Sequence, residues 1–182
     1  MSNQDFTKIF LDAIQPGQQV LDLGAGEGRF AQMFLERGAR VTAVDIHPPM
    51  FHDARMTSLR MNIEDFCDAK NSDRYDRIFA RNSIQFLDKS WVFETLFPWM
   101  EEHSRERGVI AIETFYQDPE PPFERPMRSL YTLNELLGHF LSWRELHARQ
   151  VRHVGLDMSG QSRTFSVSSL IVQRTLARDI DP

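Results

Sequence analysis

The chain is poor in cysteine, net basic charge and long apolar runs, and each shortage excludes something. Cys67 is the only cysteine, so no disulfide framework and no cysteine-rich metal site can form within the chain. A reduced, cytoplasmic setting is the expectation. Lys and Arg number 21 against 26 Asp and Glu, for a net charge of -5. Without a basic excess to neutralise phosphates, nucleic acid is not an expected partner. No apolar run approaches the ~20 residues that span a bilayer. The opening MSNQDFTKIF lacks the basic start and apolar core of a secretory signal. Neither membrane insertion nor export is therefore expected. The six histidines form no H-x-x-x-H or H-x-x-E-H pattern. His47 and His52, beside Asp53, come nearest, and no metal site is expected. Without a basic stripe, Trp91, Trp99 and Trp143 read as core or interface rather than base-stacking platforms.

What is present is 182 residues, 41% hydrophobic and 26% charged, the balance of one soluble domain (1–182) with a single sizeable core. A helical stripe of Phe6, Ile9, Phe10, Ala13 and Ile14 marks an N-terminal helix within residues 1–16, ended by Pro16-Gly17. Gln19 to Leu23 reads as a short buried strand. Phe30, Ala31, Phe34 and Leu35 recur at helical spacing, with Gly38 as C-cap. A second strand runs from Val41 to Asp45. Pro48-Pro49 then breaks the chain and is expected to open a helix. Further strands are expected at Ser58 to Asn62, Tyr75 to Ala80 and Gly108 to Phe115. Between the last two, a helical pattern from Trp91 to His103 is expected to kink at Pro98. Residues 117–128 hold four prolines and suit a loop that closes as a lid. Thr132 and Glu135 form a capping box for a helix through Phe140. Trp143 to Val154 and Thr164 to Gln173 pair antiparallel around Ser159-Gly160. The alternation predicts an α/β fold: a doubly wound, Rossmann-like, mostly parallel sheet with an antiparallel C-terminal hairpin strand and helices on both faces.

The stretch VLDLGAGEGRF carries the chemistry. Strand, glycine turn and helix follow one another, the context of a nucleotide-binding loop. Ligands of such sheets sit at the carboxyl ends of the strands, where strand order switches. Gly24, Gly26 and Gly28 alternate as G-x-G-x-G, unlike the G-x-G-x-x-G of dinucleotide sites. No Gly-Lys-Ser/Thr ending marks a phosphate loop. Asp22 precedes the first glycine by two. A carboxylate there disfavours pyrophosphate and suits a ligand carrying an ammonium group. Asp45 ends the next strand, 17 positions after Gly28. Its two oxygens match a ribose cis-diol, at ~1.5–3 kcal/mol for each hydrogen bond to a charged group. That acid fits either a nicotinamide dinucleotide or S-adenosylmethionine.

Asp22-Leu23-Gly24-Ala25-Gly26-Glu27-Gly28 resembles the first motif of class I S-adenosylmethionine-dependent methyltransferases. The resemblance implies a seven-stranded sheet, a glycine loop around the methionine and ribose of the cofactor, and Asp45-Ile46 as the second cofactor motif. It implies that Asn62, Ile63 and Glu64 face the adenine, with the Asn62 amide oxygen taking its amino group. The bland reading of Glu64 and Asp65 is the acidic start of a helix. Tyr75 to Leu87 is similar to the family's fourth motif, which puts Arg81 and Asn82 at the cleft. Arg81-Asn82-Ser83-Ile84 differs from the Asn/Asp-Pro-Pro-Tyr/Phe of enzymes acting on amide or base nitrogens. The stretch looks closer to small-molecule methyltransferases of the tellurite-resistance and thiopurine types. A small-molecule acceptor is thus expected, on a monomer or homodimer. Tyr116, Arg81 and His153 are candidate catalytic groups, and Arg125 or Arg128 candidate anion attractors. His153-Val154-Gly155 does not keep the His-Arg pair of tellurite-resistance relatives, although Arg163 also flanks the hairpin. The alternatives are methylation of RNA or protein and a cofactor-binding module without turnover. A dehydrogenase is opposed by the glycine spacing and by Asp22. The N-terminal segment is short for a family that often closes its pocket with an extra helix there.

Overall fold

The computed structural model describes residues 4–69, 72–122, 126–157 and 159–175. In chain order the elements are α1 (Gln4–Asp12), β1 (Gln19–Leu23), α2 (Arg29–Glu36), β2 (Arg40–Asp45), β3 (Met56–Arg60), α3 (Ile63–Asp68) and β4 (Tyr75–Arg81). Then come α4 (Lys89–Trp91), a wide π turn (Val92–Leu96), α5 (Phe97–His103), β5 (Ser104–Glu120), α6 (Leu133–His139), β6 (Arg144–Leu156) and β7 (Ser162–Gln173). The strands form one seven-stranded sheet in the order β3-β2-β1-β4-β5-β7-β6. β1 to β5 pair in parallel and β7 runs antiparallel to both β5 and β6. Strand order turns between β1 and β4, so a cleft opens where their carboxyl ends diverge.

Helices cover both faces, because alternate residues of each central strand are apolar on both sides. Phe6, Phe10, Ala31, Phe34 and Leu35 of α1 and α2 pack on Val20, Ala43, Phe79 and Ala111. Phe66, Leu96, Met100, Leu136 and Phe140 pack on Leu21, Ile78, Ile112 and Leu170 of the opposite face. Buried Arg77 ties the end of α1 to β4. It donates to the Ala13 carbonyl and to Gln18 Oε1 (2.9 Å), and lies over the Phe10 ring. Trp99 is buried against Phe66 and stacks on His103, and Trp91 and Trp143 pack against the same core, as the sequence led us to expect. Among the described residues no helix is long and apolar enough to cross a membrane.

Several boundaries differ from the sequence reading. α1 ends at Asp12, inside the 1–16 segment. β3 spans Met56–Arg60 rather than Ser58 to Asn62, because Asn62 is the N-cap of α3. Pro48-Pro49 opens no helix. Instead Pro49 and Phe51 press on the glycine loop, where a Cβ at Gly28 would lie 2.6–2.7 Å from them. The irregular turn of the Trp91 to His103 segment precedes Pro98, which occupies the first turn of α5, where its missing N–H costs nothing. The capping box at Thr132 is present, with Thr132 N–H to Glu135 Oε2 at 2.8 Å.

The largest difference concerns β5. It is 17 residues long, so residues 117–120 of the expected loop are strand, paired with β7 through Gln117↔Ser166 and Glu120↔Thr164. Beyond Arg81↔Glu113, β5 has only β7 as a neighbour. A three-stranded blade therefore stands past the carboxyl end of β4. Buried Arg163 holds its tip, bonding Asp157 Oδ2 (2.5 Å) and the carbonyls of Pro121 and Pro122. Residues 117–122 are thus fastened to the sheet and do not form a free lid. Arg125 lies outside the described residues. Arg128 donates its backbone N–H to the Gln85 carbonyl (2.9 Å), which seats the segment that follows.

Candidate functional site

The glycine loop joins β1 to α2 at the cleft. Its first two N–H groups, of Gly24 and Ala25, donate to the Val44 carbonyl at 2.8 and 3.1 Å, which locks the loop onto β2. All three glycines have left-handed φ, from +53° to +86°, but their surroundings differ. A Cβ at Gly24 would fall 2.3 Å from Ser83 Cβ. One at Gly28 would meet Pro49 and Phe51. One at Gly26 would meet nothing within 4 Å. Two of the glycines are therefore demanded by the protein's own packing, and only Gly26 faces open space. Glu27, beside it, is exposed.

Two carboxylates flank this loop. Asp22 is 2% exposed, and its Oδ2 has no hydrogen-bond partner among the described residues. Burial, reinforced by the nearby Asp45 charge, pushes its pKa up to about 7. An unpaired buried carboxylate is costly unless it holds a proton or meets a cation. Asp45 is half-buried and already oriented: Oδ2 accepts from Gly26 N–H at 2.9 Å and Oδ1 from His47 N–H at 2.7 Å. Each oxygen keeps a further lone pair for a diol. Ile46, the next residue, is 45% exposed and supplies an apolar surface beside that carboxylate.

The third segment is arranged differently from the sequence reading. The Asn62 amide oxygen accepts the Asp65 N–H at 2.6 Å and so caps α3, which leaves that oxygen one further lone pair. Ile63 is buried, while Glu64 and Asp65 form the acidic first turn of α3, the bland alternative for those two acids.

After β4, Arg81 is not a free cation. Its Nε donates to Glu113 Oε1 at 2.5 Å, its Nη1 reaches Thr7 Oγ1 at 3.5 Å, and its guanidinium lies 4.8 Å from the Phe30 ring centroid. Glu113 is 1% exposed. Burial pushes its pKa up, and Arg81 opposes that shift. This ion pair binds β4, β5, α1 and the start of α2 beneath the cleft. Asn82 adopts φ +51° and donates its N–H to the Glu113 carbonyl at 2.8 Å. That bend delivers Ser83 against Gly24. Ser83 Oγ is buried and, like Asp22 Oδ2, has no partner among the described residues.

The structure thus brings Asp22, the glycine loop, Asp45 and the Asn82-Ser83 turn together. It sets Tyr116 and His153 apart on the blade: Tyr116 at the register shift after Phe115, and His153 stacked on Phe165 (centroids 5.5 Å). Ser83 and Glu113 were missed. The only hint of Glu113 was an acid within the most apolar strand, GVIAIETF. The Cys67 thiol is pushed up to about 12, mainly by burial, and is no nucleophile at neutral pH.

The chain is similar to known methyltransferases. A family model described as a methyltransferase domain matches residues 20–108. The chain is 55% identical over 40 residues to a malonyl-[acyl-carrier protein] O-methyltransferase of Serratia marcescens, covering 22% of this chain and 16% of that protein. It is 31% identical over 103 residues to the Acetivibrio thermocellus enzyme of the same name, covering 53% and 35%. The chain therefore spans only about a sixth to a third of those relatives' length. Among solved structures, TehB from Haemophilus influenzae superposes with a TM-score of 0.73 at 20% identity, covering 93% of this chain and 61% of that one. The Burkholderia thailandensis 1,6-didemethyltoxoflavin-N1-methyltransferase was solved with 1,6-didemethyltoxoflavin and S-adenosylhomocysteine bound. It gives a TM-score of 0.72 at 19% identity, covering 95% and 78%.

Proposed function

We propose that the chain is a class I S-adenosylmethionine-dependent methyltransferase, as its methyltransferase-domain match over residues 20–108 and its fold support, and that it transfers a methyl group from S-adenosylmethionine to a small-molecule acceptor. One observation carries the reading. The glycine loop offers open space only at Gly26, between a buried carboxylate with an unpartnered oxygen and a second carboxylate pre-oriented for a diol. Those features fit a ligand that is cationic at one end and a ribonucleoside at the other. Asp22 meets the ammonium, Asp45 holds the ribose hydroxyls, and Ile46 covers one face of the base. The Asn62-Ile63 turn borders the adenine, and the Asn62 amide oxygen, besides capping α3, keeps a lone pair for the adenine amino group.

When bound, the cofactor supplies a sulfonium-activated methyl group. The chain's own contribution is alignment, which can supply ~7–11 kcal/mol of a barrier. Asn82 and Ser83 bound the cleft on the β4 side, and the Arg81–Glu113 pair keeps that side rigid. Tyr116 and His153, on the blade, are the acceptor-side candidates. An acceptor that is already anionic needs no base from the protein. The small-molecule reading draws on the 1,6-didemethyltoxoflavin-N1-methyltransferase neighbour and on the -5 net charge, which does not favour RNA.

Calorimetry with S-adenosylmethionine and S-adenosylhomocysteine tests the cofactor. Failure of both to bind folded protein overturns it. Asp45→Ala should weaken both ligands at least tenfold, since each lost hydrogen bond to a charged group is worth ~1.5–3 kcal/mol. Unchanged affinity refutes the ribose role. With labelled cofactor and a cell extract, label should appear in the low-molecular-mass fraction. Label confined to RNA or protein overturns the acceptor class.

A further inference from the structure

Asp22 is placed as no ordinary structural acid would be. It lies on β1 opposite Ala43 of β2 and Phe79 of β4, neither of whose side chains offers a hydrogen bond. Four N–H groups of the loop are taken. Gly24 and Ala25 serve Val44, Gly28 serves Ala25, and Gly26 serves Asp45. Ser83 Oγ, beside Gly24, is the other buried polar atom of this recess without a partner among the described residues.

The charges around Asp22 leave it uncompensated. From β2 comes Asp45, a second negative charge. From β4 comes Arg81, whose charge is engaged by Glu113 of β5. From the loop comes Glu27, exposed and acidic. From α2 comes Arg29, exposed and lying over the Phe30 ring, and from α1 Lys8, exposed and paired with Asp12. His47 gives only its backbone N–H, to Asp45. No cation among these is directed at Asp22, and the like charge of Asp45 adds to the cost of ionising it.

We propose that Asp22 carries a proton in the ligand-free protein and exchanges it for the ammonium group of the incoming cofactor, with Ser83 Oγ as a second partner of that group. The inference rests on the cofactor reading above and adds a specificity rule to it: the recess accepts a cation in return for a proton. The balance is simple. The Asp22 O–H bond breaks, the proton passes to solvent, and the ammonium takes its place against the carboxylate. No electron changes hands.

The consequence is a pH-dependent proton release on binding. With Asp22 titrating at about 7, binding releases about nine-tenths of a proton near pH 6 and about one-tenth near pH 8. Calorimetry of S-adenosylhomocysteine binding, in pairs of buffers with different ionisation enthalpies, reads this number directly. Asp22→Asn should abolish the release and weaken binding about tenfold or more, since a charge-assisted bond is lost. Binding without proton exchange from pH 6 to 8, or equal exchange in Asp22→Asn, overturns the inference while leaving the cofactor reading intact. Absence of any binding heat instead defeats the cofactor reading. Carbon-detected NMR of the Asp22 carboxyl in ligand-free wild-type protein is independent of both binding and folding of the variant. A titration near neutrality supports the proposal, and one in the ordinary aspartate range overturns it. Asp45→Asn, by removing the like charge, should move that titration to lower pH.

Discussion

Gly24→Ala is the sharpest test of how the loop is built. Gly24 has φ +79°, and an added Cβ would sit 2.3 Å from Ser83 Cβ. Two separate costs follow. Holding alanine in the left-handed region costs ~1–2 kcal/mol. Forcing a methyl into occupied space costs a further ~1–3 kcal/mol, because Ser83 is fixed by the Asn82 bend and cannot move freely. The expected loss is therefore ~2–5 kcal/mol, a large part of a typical domain's stability. The two costs can be separated. Ser83→Gly removes the clashing Cβ, so the double variant should recover the ~1–3 kcal/mol packing part and retain the backbone part. Gly26→Ala is the contrast. It has φ +53° and open space around it, so it should lose only the backbone ~1–2 kcal/mol, yet impair cofactor binding because its methyl occupies the ligand's space. Urea denaturation followed by tryptophan fluorescence measures the stabilities, and calorimetry the affinities. If Gly24→Ala and Ser83→Gly add to within ~0.5 kcal/mol, the two residues are not in contact and the reasoning fails. Equal stability losses at positions 24 and 26 would refute it as well.

Two further stability experiments follow from the buried acids. Asp22 is raised in the folded state to about 7, so between ordinary aspartate pH and neutrality the folded protein binds more protons than the unfolded chain, and stability falls as pH rises. Asp22→Asn removes that dependence. Its stability relative to wild type should be greatest near pH 8 and shrink by roughly 2–3 kcal/mol near pH 5, and urea melts showing a pH-independent difference would contradict this. Arg81→Met strands Glu113, which is 1% exposed, and should cost ~3–5 kcal/mol at neutral pH. The cost should ease at low pH, where Glu113 protonates, and in the Arg81→Met/Glu113→Gln double variant. A double variant no better than the single one would show that the pair is not coupled.

Elements with a strong local signal were legible before any coordinates. The alternation of apolar strand and amphipathic helix predicted the doubly wound sheet, because periodicity records which side of an element is buried. Thr132 and Glu135 were legible as a cap because both partners lie within one turn. Asp45 stood at a strand end, and there it meets the loop. The cap at Asn62 was not legible, because only the helix beginning at Ile63 shows that its amide oxygen accepts the Asp65 N–H. Residues 117–120 were misread because prolines nearby suggest a loop, whereas their hydrogen bonds come from β7, far along the chain.

The sequence by itself determined the order of elements, the acid–glycine loop at the end of β1 and the acid at the end of β2, because these depend on local backbone geometry and on side-chain chemistry at short spacing. The tertiary structure decided what each glycine is for. Gly24 and Gly28 make room for Ser83, Pro49 and Phe51, and only Gly26 leaves room for a ligand. It also decided that Arg81 pairs with Glu113 and that Asp22 Oδ2 has no hydrogen-bond partner among the described residues. Those facts depend on which distant segments share a cleft, and burial converts that proximity into charge: the buried Asp22 carboxyl, beside the Asp45 charge and with Oδ2 unpartnered among the described residues, is pushed up to about 7.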